Sequence, residues 1–225
     1  MTALVGYTGA GKSSVAKLLA RMYDPDAGSV TVDGIDLRDV TLESLRGKFS
    51  VVPQDAFVFK GTIASNLRYG RPDASDDELD SALRTVGATD LLIGLSGGLD
   101  HRVEPEGRNL TAAQRQLIAL ARAWLAGPDV LVLDEATSLL DATVEDVVID
   151  ALARLECTTL MITHRENVAA AADWVVVLDA GRVVDEGREE YVARPGGPYD
   201  RLWRVQEDEL AEQKNRELAQ EHLQP

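Results

Sequence analysis

Cysteine is almost absent. Cys157 stands alone in 225 residues, so no internal disulfide can form and a reducing, cytosolic setting is expected. Histidine is nearly as scarce: His101, His164 and His222 lie far apart, which argues against a structural zinc site. No apolar run approaches the ~18 residues that a membrane-spanning helix needs, and the N-terminus lacks a signal-peptide layout. The chain is therefore not expected to cross a membrane by itself. Positive charge is in deficit, with 23 Lys and Arg against 38 Asp and Glu and a net charge of −15. That balance disfavours nucleic acid or anionic lipid as a direct electrostatic partner. Internal repeats and low-complexity linkers are missing too, and the length suits one core, or a core with a subdomain.

What is present begins at the N-terminus. Gly6-Tyr7-Thr8-Gly9-Ala10-Gly11-Lys12-Ser13-Ser14 fits the phosphate-cradling pattern G-x-x-x-x-G-K-[ST], which arises by chance in about 1% of chains this long. Leu4 and Val5 read as the end of a buried strand, and Val15 to Met22 as a helix with Val15, Leu18, Leu19 and Met22 on one face. Glycines let backbone N–H groups turn inward, and the helix N-terminus adds its positive dipole end. In such a loop Lys12 reaches the β- and γ-phosphates of a nucleotide and the Ser13 hydroxyl ligates Mg²⁺.

Further along, Gly28 to Leu37 alternates around Asp33-Gly34, a hairpin signal. Thr41 caps a short helix reaching Arg46, and Phe49 to Val52 forms a strand that ends at Pro53-Gln54-Asp55. From Gly61 to about Leu95 the apolar spacing is mostly helical, as in Leu79, Leu83 and Val86, and Leu110 to Ala126 adds a long helix. Residues 61–120 read as a helical subdomain set into a discontinuous core of 1–60 and 121–200. Val130 to Leu133 is a continuous apolar run of strand length, followed by a helix at Glu145 to Leu155 and a strand at Thr158 to Thr163. Trp174 to Leu178 and Arg182 to Val184 flank Asp179-Ala180-Gly181 as a hairpin, and 201–225 is a charged helix or frayed tail. Strands alternating with helices imply an α/β fold with a mainly parallel sheet.

Leu131-Val132-Leu133-Asp134-Glu135 puts two carboxylates at the C-terminal end of a buried strand, where open α/β sheets hold ligands. Asp134 suits holding Mg²⁺ through water, and Glu135 suits polarising an attacking water. Taken alone, the pair also reads as a cap before a helix, Gln54 as a turn residue, Asp141 as a helix cap and His164 as a strand-end histidine. Their order decides otherwise. The phosphate loop is followed by Gln54, then Leu110-Thr111-Ala112-Ala113-Gln114-Arg115-Gln116, then Asp134-Glu135 through Asp141, then Thr163-His164-Arg165. From about Leu4 to Trp203 this resembles the ATP-binding-cassette (ABC) ATPases. The stretches "FVFKGTIASNLRYG" and "VVVLDAGRVVDEG" are most similar to the nucleotide-binding domains of exporter-type ABC transporters.

The resemblance implies a P-loop NTPase (RecA-like) core with an antiparallel β part and an inserted helical subdomain. It implies ATP and Mg²⁺ as ligands, and ATP sandwiched in a head-to-tail dimer beneath a transmembrane domain, at the cytoplasmic face of the cell membrane. Gln54 then contacts Mg²⁺ or the lytic water and senses the transmembrane partner, His164 touches the γ-phosphate, and Asp141 communicates across the dimer. The family signature, usually Leu-Ser-Gly-Gly-Gln, meets the partner's γ-phosphate with a hydroxyl, bare backbone amides and a helix dipole. Here it reads Leu110-Thr111-Ala112-Ala113-Gln114: the hydroxyl stays, but Ala112 and Ala113 each add a Cβ. This departure predicts an asymmetric heterodimer in which the partner's ATP meets the weaker signature. Val103 is followed by Glu104-Pro105-Glu106 where exporters usually carry Gly-Glu. The aromatic that stacks adenine on strands upstream of the phosphate loop is not in this sequence, and base stacking is worth ~1–3 kcal/mol in nucleic-acid binders.

Leu95-Ser96-Gly97-Gly98 imitates the signature, and Gly94-x-Ser96-x-Gly98 a hydrolase elbow. The following Leu99 to Pro105 is no helix, so a surface loop is expected. The competing reading of the whole chain is a truncated or non-catalytic nucleotide-binding module of a fused transporter whose membrane half precedes Met1. Missing upstream strands would leave exposed edges. A DNA-repair ABC ATPase is disfavoured by the charge and by the lack of a coiled-coil insertion, and a phosphate-loop kinase leaves Gln54, the signature and His164 without a purpose.

Overall fold

The computed structural model describes residues 1–89 and 94–205. Five parallel strands and one antiparallel edge make the central sheet, in the order β10-β9-β1-β8-β7-β4. These strands are β1 (Thr2–Gly6), β4 (Phe49–Val52), β7 (Val130–Asp134), β8 (Thr158–Ile162), β9 (Trp174–Asp179) and β10 (Arg182–Gly187). A short hairpin, β2 (Thr31–Val32) and β3 (Ile35–Asp36), supplies the separate antiparallel part. Its turn holds Asp33 at φ 52° and Gly34 at φ 79°, the left-handed pair that a tight hairpin demands. The fold is thus the mainly parallel α/β P-loop architecture, with an antiparallel addition and helices.

The central strands are buried on both faces, which is why they read as unbroken apolar runs. In β7, Leu131 and Leu133 pack with the helices that follow β4, whereas Val130 and Val132 pack on the opposite face with Leu4, Ala16, Ile162 and Leu178. Ala3, Val5, Val175 and Val177 carry a third cluster, closed by Tyr199, Leu202 and Trp203 from helical residues 198–205. Tyr199 loses solvent there, and burial pushes its phenol up to about 12. Of the charged tail expected over 201–225, residues 201–205 are helical and the rest lies outside the described residues.

Between β4 and β7 the chain forms helices Ile63–Leu67 and Asp76–Thr85, which pack with the long helix Ala112–Ala126 around Leu67, Leu79, Leu117 and Ile118. Both N-termini of this helical pair close with capping boxes, Thr62 with Ser65 and Ser75 with Glu78. Within this mostly helical stretch, β5 (Gly61–Thr62) pairs with β6 (Arg102–Val103), a small sheet that the helical spacing does not reveal. Leu95 to Gly97 lies in an irregular stretch, with Gly97 at φ 110° and Ser96 O 3.0 Å from His101 Nδ1. Where no helix is expected, Gly98–Asp100 forms a single 3₁₀ turn closed by Asp100 N donating to Gly97 O at 2.9 Å. The imitation signature is a surface loop.

Helix α1 (Lys12–Leu19) differs from the expected Val15 to Met22 at both ends. It starts three residues earlier because Gly11, at φ 105°, turns the chain directly into the helix, and Lys-Ser-Ser carries no apolar period to betray its first turn. It stops early because Arg21 takes φ 48° and Met22 N donates to Lys17 O at 2.8 Å while Arg21 N donates to Leu18 O. That pair of bonds is a Schellman closure, and it leaves Met22 exposed instead of on the buried face. The long helix begins at Ala112, with Leu110 and Thr111 ahead of it, because the Thr111 hydroxyl caps it. The helix expected at Glu145 to Leu155 runs Ala142–Ala153, since Asp141 caps it earlier.

Candidate functional site

Lys12, Gln54, Asp134, Glu135 and His164 all sit at or just past the C-terminal ends of the parallel strands β1, β4, β7 and β8, the edge of an open α/β sheet where ligands bind. Strand β1 runs straight into the phosphate loop. Gly6 faces Leu178 of β9 so closely that a Cβ there would stand 2.2 Å from the Leu178 carbonyl oxygen and 3.2 Å from Ala10 Cβ. Gly6→Ala must therefore part β1 from β9, a cost of about 1–3 kcal/mol for overpacking. A urea midpoint lowered at unchanged slope is the expected reading, and an unchanged midpoint would show that the loop yields freely.

Ala10 is buried, while Tyr7, Thr8, Gly9, Ser13 and Ser14 are exposed. Two bonds brace the loop: Ala10 N donates to Tyr7 O at 3.0 Å, and Gly181 N donates to Ala10 O at 2.9 Å. Helix geometry leaves the first amides of α1 without intrahelical partners, and its first turn contains no acidic residue to compete with an anion. Lys12 is buried, and its ammonium folds back over the loop, donating to Gly6 O at 2.7 Å and Tyr7 O at 3.1 Å. Two of its three protons are thus spent on carbonyls, and one is left for a ligand. Burial holds its pKa below the usual lysine value of 10.5, opposed by the negative charges of Glu135 and Asp134. Strand β8 pairs with both β1 and β7, which sets the two carboxylates at the same sheet edge as the phosphate loop.

Asp134 is the last residue of β7 and Glu135 the first beyond it, half-buried at φ 52°. A non-glycine residue in the left-handed region costs of order 1 kcal/mol or more, and here it is held by named bonds. Glu135 N donates to Ile162 O at 3.0 Å, and both the amide and the hydroxyl of Ser138 donate to Glu135 O. The carboxylate is gripped at both oxygens. Gln54 Nε2 donates to Oε2 at 2.7 Å, and His164 Nε2 lies 2.8 Å from Oε1. Gln54 comes from the end of β4 and His164 from the end of β8, the two neighbours of β7. Two side chains far apart in sequence therefore meet on one carboxylate.

Two predicted site elements stand elsewhere. The Thr111 hydroxyl accepts Gln114 N at 3.1 Å, and Gln114 Oε1 accepts Thr111 N at 2.9 Å, a capping box at the head of the long helix. Ala112 and Ala113, partly exposed, form the first turn of that helix. Asp141 Oδ1 accepts Val144 N at 3.1 Å and caps the next helix. The helix carrying the signature belongs to the cluster around Leu117 and Ile118, whereas the phosphate loop packs through Ala10 with Leu4, Ala16 and Leu178.

Sequence reasoning missed the supporting shell. Gln116 Nε2 reaches Pro53 O at 3.3 Å and links the long helix to the segment carrying Gln54. Glu145, fully buried, pairs with Arg165 at 3.0 Å. Its signal was available: Glu145 stands at i relative to Val148, Ile149 and Leu152 at i+3, i+4 and i+7, a charge on an otherwise buried stripe. Among the described residues, no group of three His, Cys, Asp or Glu could cage a metal, and no helix is long and apolar enough to cross a membrane.

The family model described as ABC transporter matches residues 1–138. An uncharacterized ABC transporter ATP-binding protein of Sinorhizobium fredii is 46% identical over 207 residues, 91% of this chain and 35% of that protein. A multidrug efflux ATP-binding/permease protein of Mycobacterium bovis is 47% identical over 201 residues, covering 88% of this chain and 17% of its own length. The solved structure of a bacterial Atm1-family ABC exporter with ATP bound superposes with a TM-score of 0.87 at 38% identity, over 91% of this chain and 36% of that one. The chain spans about a third or less of these relatives. This chain belongs to the ABC transporter family.

Proposed function

We propose that this chain binds ATP with Mg²⁺ and hydrolyses it as one half of a head-to-tail pair of such domains, powering a transmembrane partner at the cytoplasmic face of a cell membrane. The observation that carries this reading is the convergence of Lys12, Asp134, Glu135, Gln54 and His164 at one end of the sheet. Residues 6–14 cradle the phosphates with backbone amides, and Lys12 adds its ammonium to the β- and γ-phosphates. Glu135 polarises the attacking water, aligned by Gln54, while His164 holds the γ-phosphate side of the site. Ser13, Asp134 and the Gln54 amide oxygen are the residues that would hold a magnesium ion, all of them oxygen donors of the kind this ion prefers. Mg²⁺ bound there supplies neutralisation of the charge on the β- and γ-phosphates.

Thr111, Ala112, Ala113 and Gln114 face the partner's nucleotide in this reading, and Asp141 lies at the same junction. The two alanine methyl groups hinder close approach of a phosphate, so the partner is a different domain with its own site, and the pair is a heterodimer. In vanadate-trapped turnover by the purified pair, Glu135→Gln removes activity and further alteration of Ala113 changes little. The reverse ranking would overturn the assignment of sites.

The transmembrane partner docks on an aromatic patch just after Gln54. Phe57, Phe59 and Tyr69 are 53%, 38% and 61% exposed, an unusual outlay of aromatic surface. Phe59 stacks on Tyr69 at 4.2 Å between centroids, and the Arg122 guanidinium lies 5.7 Å and 5.9 Å from their rings. Arg122 also donates to Phe57 O at 3.1 Å and Asn66 O at 2.9 Å, so the patch is held rigidly. The experiment that tests the whole reading is ATP-dependent dimerisation of Glu135→Gln, alone and with a candidate partner domain. Association in the mixture supports it, and no dimer in either sample favours an inert module.

A further inference from the structure

Glu145 lies within helix Ala142–Ala153 with no solvent exposure, an expensive place for a carboxylate. Its Oε2 accepts from Arg165 Nη2 at 3.0 Å and from Asn167 Nδ2 at 3.2 Å, while Oε1 has no hydrogen-bond partner among the described residues. Arg165 is the residue after His164. Its backbone N–H donates to Thr163 Oγ1 at 3.0 Å, and its Nη1 reaches Leu140 O, next to Asp141, at 3.5 Å. One guanidinium thus joins two segments. The first leaves β8 and presents His164, and the second leaves β7 and runs from Glu135 to Asp141 and on into the helix of Glu145.

Stability alone gives no reason for this pair. Only Glu145 is withdrawn from water, since the Arg165 side chain stays 34% exposed. Desolvating that carboxylate offsets much of the attraction to a guanidinium that water still screens, and apolar side chains of similar volume often serve as well. What a charge pair supplies that hydrocarbon does not is direction, because the Arg165 guanidinium has to meet Glu145 Oε2 at 3.0 Å while its other arm reaches Leu140 O at 3.5 Å. We propose that Glu145 and Arg165 are positioning residues for hydrolysis, holding His164 at 2.8 Å from Glu135 and tying that contact to the Asp141 segment that leads toward the partner domain. This rests on the ATPase reading given above.

The test is steady-state ATP hydrolysis by the full chain paired with its partner domain, comparing wild type with Glu145→Leu/Arg165→Met, which replaces the pair by apolar groups of similar length. The expected result is a melting temperature equal to or above that of wild type, an unchanged KM for ATP, and a kcat lower by about 10- to 100-fold, as a displacement near 1 Å at the reacting groups produces. Arg165→Lys, which keeps the charge but not the two-pronged reach, gives an intermediate kcat at the same KM. This single variant decides the matter if the double variant does not fold. Wild-type kcat in whichever variant folds overturns the proposal, as does a kcat that falls only together with KM and melting temperature. A wild-type pair that releases no phosphate at all sinks the ATPase reading first and this role with it.

Discussion

Glu135→Gln lowers ATP turnover by about 10²–10⁴-fold, the range expected for losing a general base, and leaves nucleotide binding in place. The amide matches the carboxylate in shape and keeps the backbone bonds that set φ 52°, namely Glu135 N to Ile162 O and Ser138 to Glu135 O. It still accepts one hydrogen bond from Gln54. It carries no charge to draw a proton from water, and its NH₂ cannot accept from His164. Lys12 keeps its place over the loop, and the loss of one negative charge near it lessens repulsion of the triphosphate, so ATP binds. The variant accumulates as an ATP-bound pair because the step that releases it is blocked. Phosphate release and nucleotide binding measured on the same samples check this. Turnover near that of wild type would remove Glu135 from the chemistry.

Lys12→Met weakens ATP binding by about 10- to 100-fold, the range for deleting a hydrogen bond to a charged group. The loss has a pH signature in the parent chain. Burial lowers the Lys12 pKa from 10.5, and a bound triphosphate favours the ammonium and raises it again. The protonated form binds ATP better, so affinity is full below the pKa of the free chain, falls as pH climbs through it, and levels off above the pKa of the complex. The fall therefore begins before pH 10.5, with proton uptake on binding in that window. The folded chain also binds fewer protons at Lys12 than the unfolded one there, so this group's contribution to stability rises with pH across the same interval. Calorimetric titrations in buffers of different ionisation enthalpy measure the uptake. An affinity in Lys12→Met that equals the parent's, or a parent profile flat up to pH 10.5, contradicts the role.

The phosphate loop was legible because its geometry demands particular residues at fixed offsets. Gly6 cannot bear a Cβ against Leu178 O, and Gly11 takes φ 105° to open the helix. The apolar run before Asp134 was legible for a similar local reason, since a strand buried on both faces has no polar alternation to hide it. Gln54 and His164 carry no such local mark. Each reads as a turn or strand-end residue until the order of motifs is considered, and only that order joined them to Glu135. Helix ends were the weakest reading: the first turn of α1 is polar, and its last is closed by backbone bonds at Arg21 that no apolar spacing reports.

Local chemistry was enough to specify a glycine-bearing loop between a strand and a helix, and a buried strand ending in two carboxylates, because each depends on neighbours within a few residues. The grip of Gln54 and His164 on Glu135, the Thr111–Gln114 cap at the signature and the buried Glu145–Arg165 pair waited on the fold. These contacts join residues from different strands and helices, and their geometry follows from the parallel order of β4, β7 and β8, a non-local pairing that residue spacing does not encode.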